Sequence, residues 1–250
     1  MKLPPWREFF SSFKFAFGYE RCAACNIVLD PDEMFFCSRC RKELPTAMIV
    51  NSRDNIVANR LRCHLSAKWF KAPYEIYSAI SCYRYYSDSP IADLIHDFKY
   101  RGHYAKAIDF GHEIGRMMLK LNMHRDYDFL VPVPIHPKRR AQRGYNQTEY
   151  IAQGISEETS LPVNTEILRR SVYAVSQTKK DTFERVLNVD GNFELIAHPE
   201  HLAGVRLLLV DDVLTTGSTT HQCCLQLYQI PYVRLGVATV AYVLAHHWMD

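Results

Sequence analysis

The hydrophobic positions along the chain change their spacing several times, and each change marks an element. Leu207-Leu208-Leu209-Val210 is an unbroken apolar run, the pattern of a strand buried on both faces. Two carboxylates, Asp211 and Asp212, stand at its end. Val213-Leu214 and the polar turn Thr215-Thr216-Gly217-Ser218-Thr219 come next, and a helical pattern starts directly after them. Upstream, Phe129 to Val133 reads as a second short buried strand, with Pro132 and Pro134 restricting its pairing. Tyr74 to Tyr86 is aromatic and β-branched, a strand pattern. Ile91, Leu94, Ile95 and Phe98 recur at intervals of three and four, which predicts an amphipathic helix running into Lys99-Tyr100-Arg101-Gly102. Ile108 to Leu121 predicts another, with Ile114, Met117, Met118 and Leu121 on one face. Leu44 to Lys71 mixes charge and scattered apolar residues without clean periodicity, and helix is the expectation there.

The strand that ends in Asp211 and Asp212 carries the clearest chemistry. In an open α/β sheet, ligands bind at the carboxyl ends of strands, beside helix N-termini. A hydroxyl-rich turn with free backbone N–H groups at such a helix start is an anion site, and phosphate is its usual occupant. The acidic pair cannot serve that same phosphate. It suits sugar hydroxyls, or a Mg²⁺ carried by a phosphate. A ligand with a phosphate at one end and a ribose beside it satisfies both halves; the alternative is an ordinary buried strand ending in a polar turn.

A basic segment follows the second strand. Lys138, Arg139, Arg140 and Arg143 are expected on a loop, with Gly144 and Asn146-Gln147 leading into a helix through Tyr150 and Ile151. A basic loop at a strand end can face the same crevice, where guanidinium forks suit diphosphate oxygens and a mobile lid can close over them. The alternative is a solvated charged loop. Lys179, Lys180 and Arg185 add positive charge further on, and Asn188 to Phe193 reads as a turn into a strand that pivots at Gly191.

Cysteine spacing adds a second module. Cys22-Ala-Ala-Cys25 and Cys37-Ser-Arg-Cys40 flank a loop holding Asp30-Pro31-Asp32 and Met34-Phe35-Phe36. Each pair can place two thiolates on one ion through a tight turn, and two pairs complete a tetrahedral site. So small a ribbon needs the metal to fold, which points to structural Zn²⁺ with no open position. Two disulfides or a redox pair are the alternatives. Cys63 and Cys82 are isolated, and Cys223-Cys224 read as buried thiols on the helix after the turn.

Composition narrows the partners. The chain has 250 residues, 48% hydrophobic and 23% charged, with a formal net charge of +3. That balance gives no whole-molecule field for nucleic acid, so local patches have to be weighed separately. No apolar run approaches the ~20 residues of a membrane span. Met1 to Glu20 lacks both a continuous apolar core and a small-residue cleavage site, so a cytoplasmic protein with reduced thiols is the expectation.

The ordered motifs resemble a known family. Leu207 to Thr219 is similar to the phosphoribosyl pyrophosphate (PRPP) motif of type I phosphoribosyltransferases. The full series resembles the ComF family of competence proteins. That series runs from the four cysteines through Lys99-Tyr100-x-Gly102, Val131-Pro-Val-Pro134, Lys138-Arg139-Arg140-x2-Arg143-Gly-Tyr-Asn146-Gln147 and Ser176-Gln177-Thr178. Arg185-x2-Asn188-Val189-x-Gly191-x-Phe193 and the PRPP motif complete it. The resemblance implies an α/β fold: a type I phosphoribosyltransferase-like parallel sheet with flanking helices over 46–250, behind an N-terminal segment and zinc ribbon over 1–45. It implies that Asp211 and Asp212 hold ribose hydroxyls and that Thr215, Thr216, Gly217, Ser218 and Thr219 hold the 5′-phosphate. Val133 and Pro134, in the turn through Ile135 and His136, would lie at the diphosphate, with Arg139, Arg140 and Arg143 in or near a mobile loop. Cys22, Cys25, Cys37 and Cys40 would bind Zn²⁺, and Mg²⁺ would accompany PRPP. The implied role is DNA uptake in natural transformation, with phosphoribosyl transfer to an acceptor that no residue here identifies. Two alternatives stay open: a non-catalytic PRPP or nucleotide sensor, and a competence factor binding single-stranded DNA and partners in the uptake machinery.

Overall fold

In the computed structural model, residues 21–68, 75–170 and 193–243 are described. Four strands form one parallel sheet: β1 (Ile76–Tyr85), β2 (Phe129–Pro132), β5 (Arg206–Leu214) and β6 (Arg234–Val243), in the order β1-β6-β5-β2. A separate antiparallel pair is made by β3 (Leu168–Arg170) and β4 (Phe193–Leu195). The helices are α1 (Ser38–Glu43), α2 (Ile56–Lys68), α3 (Pro90–Tyr100), α4 (Tyr104–Lys120), α5 (Pro137–Arg143), α6 (Gln147–Thr159) and α7 (Ser218–Leu227). The α/β class expected from the alternating patterns is therefore present, as are strands and helices at each place where periodicity placed one within the described residues.

The apolar run of β5 is buried on both sides because the sheet is covered on both faces. Leu208 and Val210 pack with Phe98, Phe110, Ile114 and Ile151 on one face, the side of α3, α4 and α6. Leu207 and Leu209 pack with Val57, Leu61, Cys223 and Leu227 on the other, the side of α2 and α7. Cys223 and Cys224 are fully buried thiols within this second layer.

Helices α4 and α6 meet backbone to backbone. A Cβ added at Gly111 would overlap the Ile151 carbonyl oxygen, and one at Gly154 would overlap that of Ile108. This close approach fixes the axis of α6, whose first turn carries Asn146 and Gln147 at the mouth of the sheet.

The cysteine segment is not a separate body. Cys22, Phe35, Phe36 and Cys37 belong to the same apolar cluster as Ile80, Phe110 and Ile114. The Phe35 ring lies 4.4 Å from that of Phe110. Arg41 of α1 pairs with Glu113 of α4 at 3.2 Å, and Tyr83 of β1 donates to the same carboxylate at 2.6 Å.

Two expectations change in detail. Asp211 and Asp212 do not end their strand: β5 continues to Leu214, paired with β6 as far as Tyr242. The basic run from Lys138 to Arg143 is not a loop but α5. Pro137 occupies its first turn, the His136 side chain accepts from the Lys138 N–H, and Gly144 closes it at φ 80°. Proline at the start and a left-handed glycine just past the end are strong helix boundaries, enough to fold a short charged segment. Lys179, Lys180, Arg185 and the Asn188–Gly191 turn lie outside the described residues.

Candidate functional site

The crevice forms where the sheet loses a neighbour. β2 pairs with β5 only from Phe129 opposite Leu207 to Pro132 opposite Val210, and one further bond runs from Val133 N to Val210 O (2.9 Å). Pro134 then turns the chain away. Beyond Val210, β5 is flanked on one side only, and Asp211 and Asp212 border the open space. Its walls also include Lys99, Tyr100, Pro134, Arg139, Arg143, Gln147, Arg170, Thr215 and Thr219, around a cavity of about 230 Å³. A second cavity of about 510 Å³ adjoins it, sharing Lys99, Tyr100, Arg139 and Arg143.

Asp212 is buried and its carboxylate is doubly engaged. Lys99 Nζ lies 2.8 Å from Oδ1, and Gln147 Nε2 donates to Oδ2 at 2.8 Å. Gln147 accepts in turn from Arg143 Nη1 at 2.9 Å, and the Arg143 guanidinium stands 4.8 Å over the Tyr100 ring. A continuous polar chain thus joins α3, α5 and α6 to β5. Asp211 accepts from the backbone N–H of Asp212 at 2.8 Å. Burial, reinforced by the adjoining Asp212 charge, pushes its carboxyl up to about 7. The Asp211 side chain therefore sits near half-protonation at neutral pH, able to accept or donate a hydrogen bond to a hydroxyl.

The turn after β5 narrows onto α7. Gly217 adopts φ 71°, a conformation only glycine takes without strain, and α7 begins at the next residue. The first N–H groups of a helix have no partner within it, so the turn offers donors together with the hydroxyls of Thr215, Ser218 and Thr219. Thr216 Oγ1 is occupied by the Ser218 N–H at 3.4 Å. The Val133 carbonyl accepts from Asn146 Nδ2 (3.1 Å) and Thr148 Oγ1 (2.7 Å), which anchors the Val133-Pro134 turn on α6.

Of the residues expected at this site, Asp211, Asp212, Thr215, Thr219, Val133, Pro134, Arg139 and Arg143 border one crevice. Thr216, Gly217 and Ser218 are not among its walls; they lead from Thr215 into α7. Arg140 is turned aside: its guanidinium is bonded to Glu149 at 2.7 and 3.2 Å. Lys99, Gln147 and Arg170 also border the crevice. Lys99 and Gln147 stood in the quoted motifs, but pattern alone gives a lysine at a helix end or a glutamine at a helix start no particular task. Arg170 had no signal of its own.

The four cysteine sulfurs all lie within 4.8 Å of one another, and Cys25 Sγ and Cys37 Sγ are 3.8 Å apart. Tetrahedral zinc, with Zn–S near 2.3 Å, sets its sulfurs ~3.8 Å apart, so the cluster can hold that ion. Backbone N–H groups of Cys37 and Cys40 point at Cys22 Sγ and Cys37 Sγ. Burial resists ionisation of Cys22, but the N–H donors of Cys37, Cys25 and Ala24 outweigh it and bring the thiol down to about 6. Cys40 is pushed up to about 12, chiefly by its contact with Cys25 and by burial. Four thiolates cannot share this space without a cation.

A protein-held Mg²⁺ fits less well. Three of the four carboxylate oxygens of Asp211 and Asp212 are already engaged by Lys99, Gln147 and a backbone N–H. Too few remain for a magnesium cage, so such an ion would have to arrive on a ligand's own phosphates.

Comparison with known proteins bears on this arrangement. No protein-family model matches the chain. It is 32% identical over 93 residues to Competence protein F of Haemophilus influenzae, covering 37% of this chain and 41% of that protein. It is 28% identical over 129 residues to Competence protein ComFC of Bacillus subtilis, covering 50% and 48% respectively. Over part of its length the chain is thus similar to competence proteins. DNA utilization protein YhgH of Escherichia coli (strain K12) is 26% identical over 137 residues, with 52% of this chain and 57% of that protein covered. The matches span about half the length of these relatives. A purine phosphoribosyltransferase from Pyrococcus horikoshii aligns at 15% identity with a TM-score of 0.34, over 55% of this chain and 81% of its own. Among the described residues, no helix is long and apolar enough to cross a membrane.

Proposed function

We propose that the crevice binds a phosphoribosyl diphosphate, PRPP or a close analogue, in a protein that serves DNA uptake. The observation that carries this reading is the meeting of opposite chemistries at one strand end. An acid pair suited to ribose hydroxyls borders one crevice with Thr215 and Thr219, of a hydroxyl-rich turn at a helix start that suits a phosphate, and with guanidinium groups that suit a diphosphate. Asp211 and Asp212 would orient the sugar, with Lys99 and Gln147 holding the Asp212 side chain in place. The 215–219 turn would take the 5′-phosphate, and Val133, Pro134, Arg139 and Arg143 would face the diphosphate. Arg140 would contribute through its bond to Glu149, by steadying α5.

Such a fixed ribose also suits transfer chemistry. A nucleophile would form a bond to the anomeric carbon as the bond to the diphosphate oxygen breaks, and the cationic wall would stabilise the charge on the leaving group. The DNA-uptake setting is supported by the competence and DNA-utilization relatives.

Calorimetric titration of PRPP with Mg²⁺ tests the reading. Saturable binding by the zinc-loaded wild type, lost in an Asp211→Ala/Asp212→Ala variant that still folds, is the expected result. A folded wild type that gives no binding heat overturns it and turns attention to single-stranded DNA.

A further inference from the structure

Four cations border the crevice, and they are not alike. Lys99 is committed to Asp212, and Arg143 is committed to Gln147 and the Tyr100 ring. Arg139 and Arg170 have no hydrogen bond or ion pair among the described residues. Arg139 comes from α5, whereas Arg170 comes from β3, in the separate two-stranded sheet.

Arg170 is held in an unusual state for a guanidinium. Its neighbour Arg169 pairs with Glu194 at 2.6 Å, but Arg170 faces the crevice with a buried Nε that has no partner among the described residues. The Phe193 ring, its cross-strand partner, covers it at 5.0 Å from ring centroid to guanidinium carbon. Burial first, then the like charge of Arg139, make its positive charge costly. Asp211 offsets that only in part. A guanidinium does not shed its proton at any physiological pH, so the cost stands until an anion arrives. A guanidinium stacked by its face keeps its N–H edges free for planar, bidentate recognition.

We infer that Arg170 and Arg139 together form the subsite for the ligand's diphosphate, with Arg170 a binding residue supplied by β3. This rests on the reading of the crevice as a phosphoribosyl diphosphate site. The 215–219 turn already supplies donors for a single phosphate, whereas two uncommitted forks from separate elements match two linked phosphoryl groups. An anion bridging them would also fasten the β3/β4 pair to α5, so the ligand would tie two parts of the fold together.

The test uses the full zinc-loaded chain with three probes: inorganic pyrophosphate, ribose 5-phosphate and PRPP. In Arg170→Gln, affinity for pyrophosphate and PRPP is expected to fall about 10-fold or more, while that for ribose 5-phosphate stays within about two-fold. Arg170→Lys should recover part of the loss, as a point charge without the fork. Melting temperature without ligand gives an independent readout. Removing an uncompensated charge leaves the ligand-free Arg170→Gln protein at least as stable as wild type, whereas an arginine with a purely structural role would leave it less stable. Unchanged pyrophosphate affinity in Arg170→Gln, or parallel loss for all three probes with a lowered melting temperature, overturns the inference. A wild type that binds none of the probes overturns the crevice reading itself. A wild type that binds ribose 5-phosphate and PRPP, with Arg170→Gln behaving identically, overturns this inference alone.

Discussion

Asp211 is the single residue whose environment most directly predicts a measurable behaviour. Its carboxyl is raised to about 7 by burial and by Asp212, against an ordinary value of ~4 in an unfolded chain. Between those two values the folded protein holds the proton and the unfolded chain does not. Stability contributed here is therefore full below the lower value, falls as pH rises through the window, and levels off above about 7. Asp211→Asn should flatten this slope: its melting temperature should differ less between pH 5 and pH 8 than that of the wild type. Identical slopes in the two proteins would assign the effect to another group. The acid pair itself was legible in the sequence, because an unbroken apolar run followed by two carboxylates has few structural uses. What Asp212 touches was not. Lys99 ends an amphipathic helix, where pattern reasoning leaves a lysine in solvent, and it meets Asp212 only because α3 packs on the face of the sheet that buries Leu208 and Val210.

Among the elements, the contact of α4 with α6 positions the site from a distance. Gly111 and Gly154 let the two backbones touch, and α6 presents Gln147 and the Asn146 cap to the crevice. Gly111→Ala should destabilise the fold by roughly 1–3 kcal/mol, from forced separation of packed helices. Urea denaturation measures the loss, and a variant as stable as wild type would show that the helices can move apart freely. Neither glycine was readable as a contact residue beforehand, because close approach is a property of two helices and not of either pattern. The basic segment teaches the converse. Its charge suggested a loop, yet Pro137 and Gly144 carried the boundaries of a helix in plain view. The effect is to hold Arg139 and Arg143 on one short rigid turn, with Arg140 pointing elsewhere.

For the molecule as a whole, the cysteine cluster and the sheet share one core. Phe35 and Phe36 leave the cysteine segment to pack against Phe110, and Arg41 reaches Glu113. Zinc removal should therefore destabilise more than the small segment around it. Chelation at neutral pH is expected to release one zinc per chain and to lower the melting temperature of a single cooperative transition. Two separate transitions, with only the smaller one sensitive to the chelator, would contradict the shared core. The spacing of the cysteines announced a four-sulfur cluster, but nothing in it announced the surface on which the cluster sits.

The strand order carries a consequence for how the chain reaches this state. β1 and β2 form the two edges of the sheet, and neither touches the other. Ile76 finds Leu235, and Phe129 finds Leu207, so each early strand waits for one made much later. During synthesis, the first two strands and four helices that cover the sheet, α2, α3, α4 and α6, emerge with their apolar sides unmatched. Closure of such distant pairings is slow and leaves sticky surfaces open to wrong partners. The acid pair lies on β5, which ends the wait of β2, and β1 is joined only when β6 follows, so the ligand pocket takes shape late, as the sheet is completed.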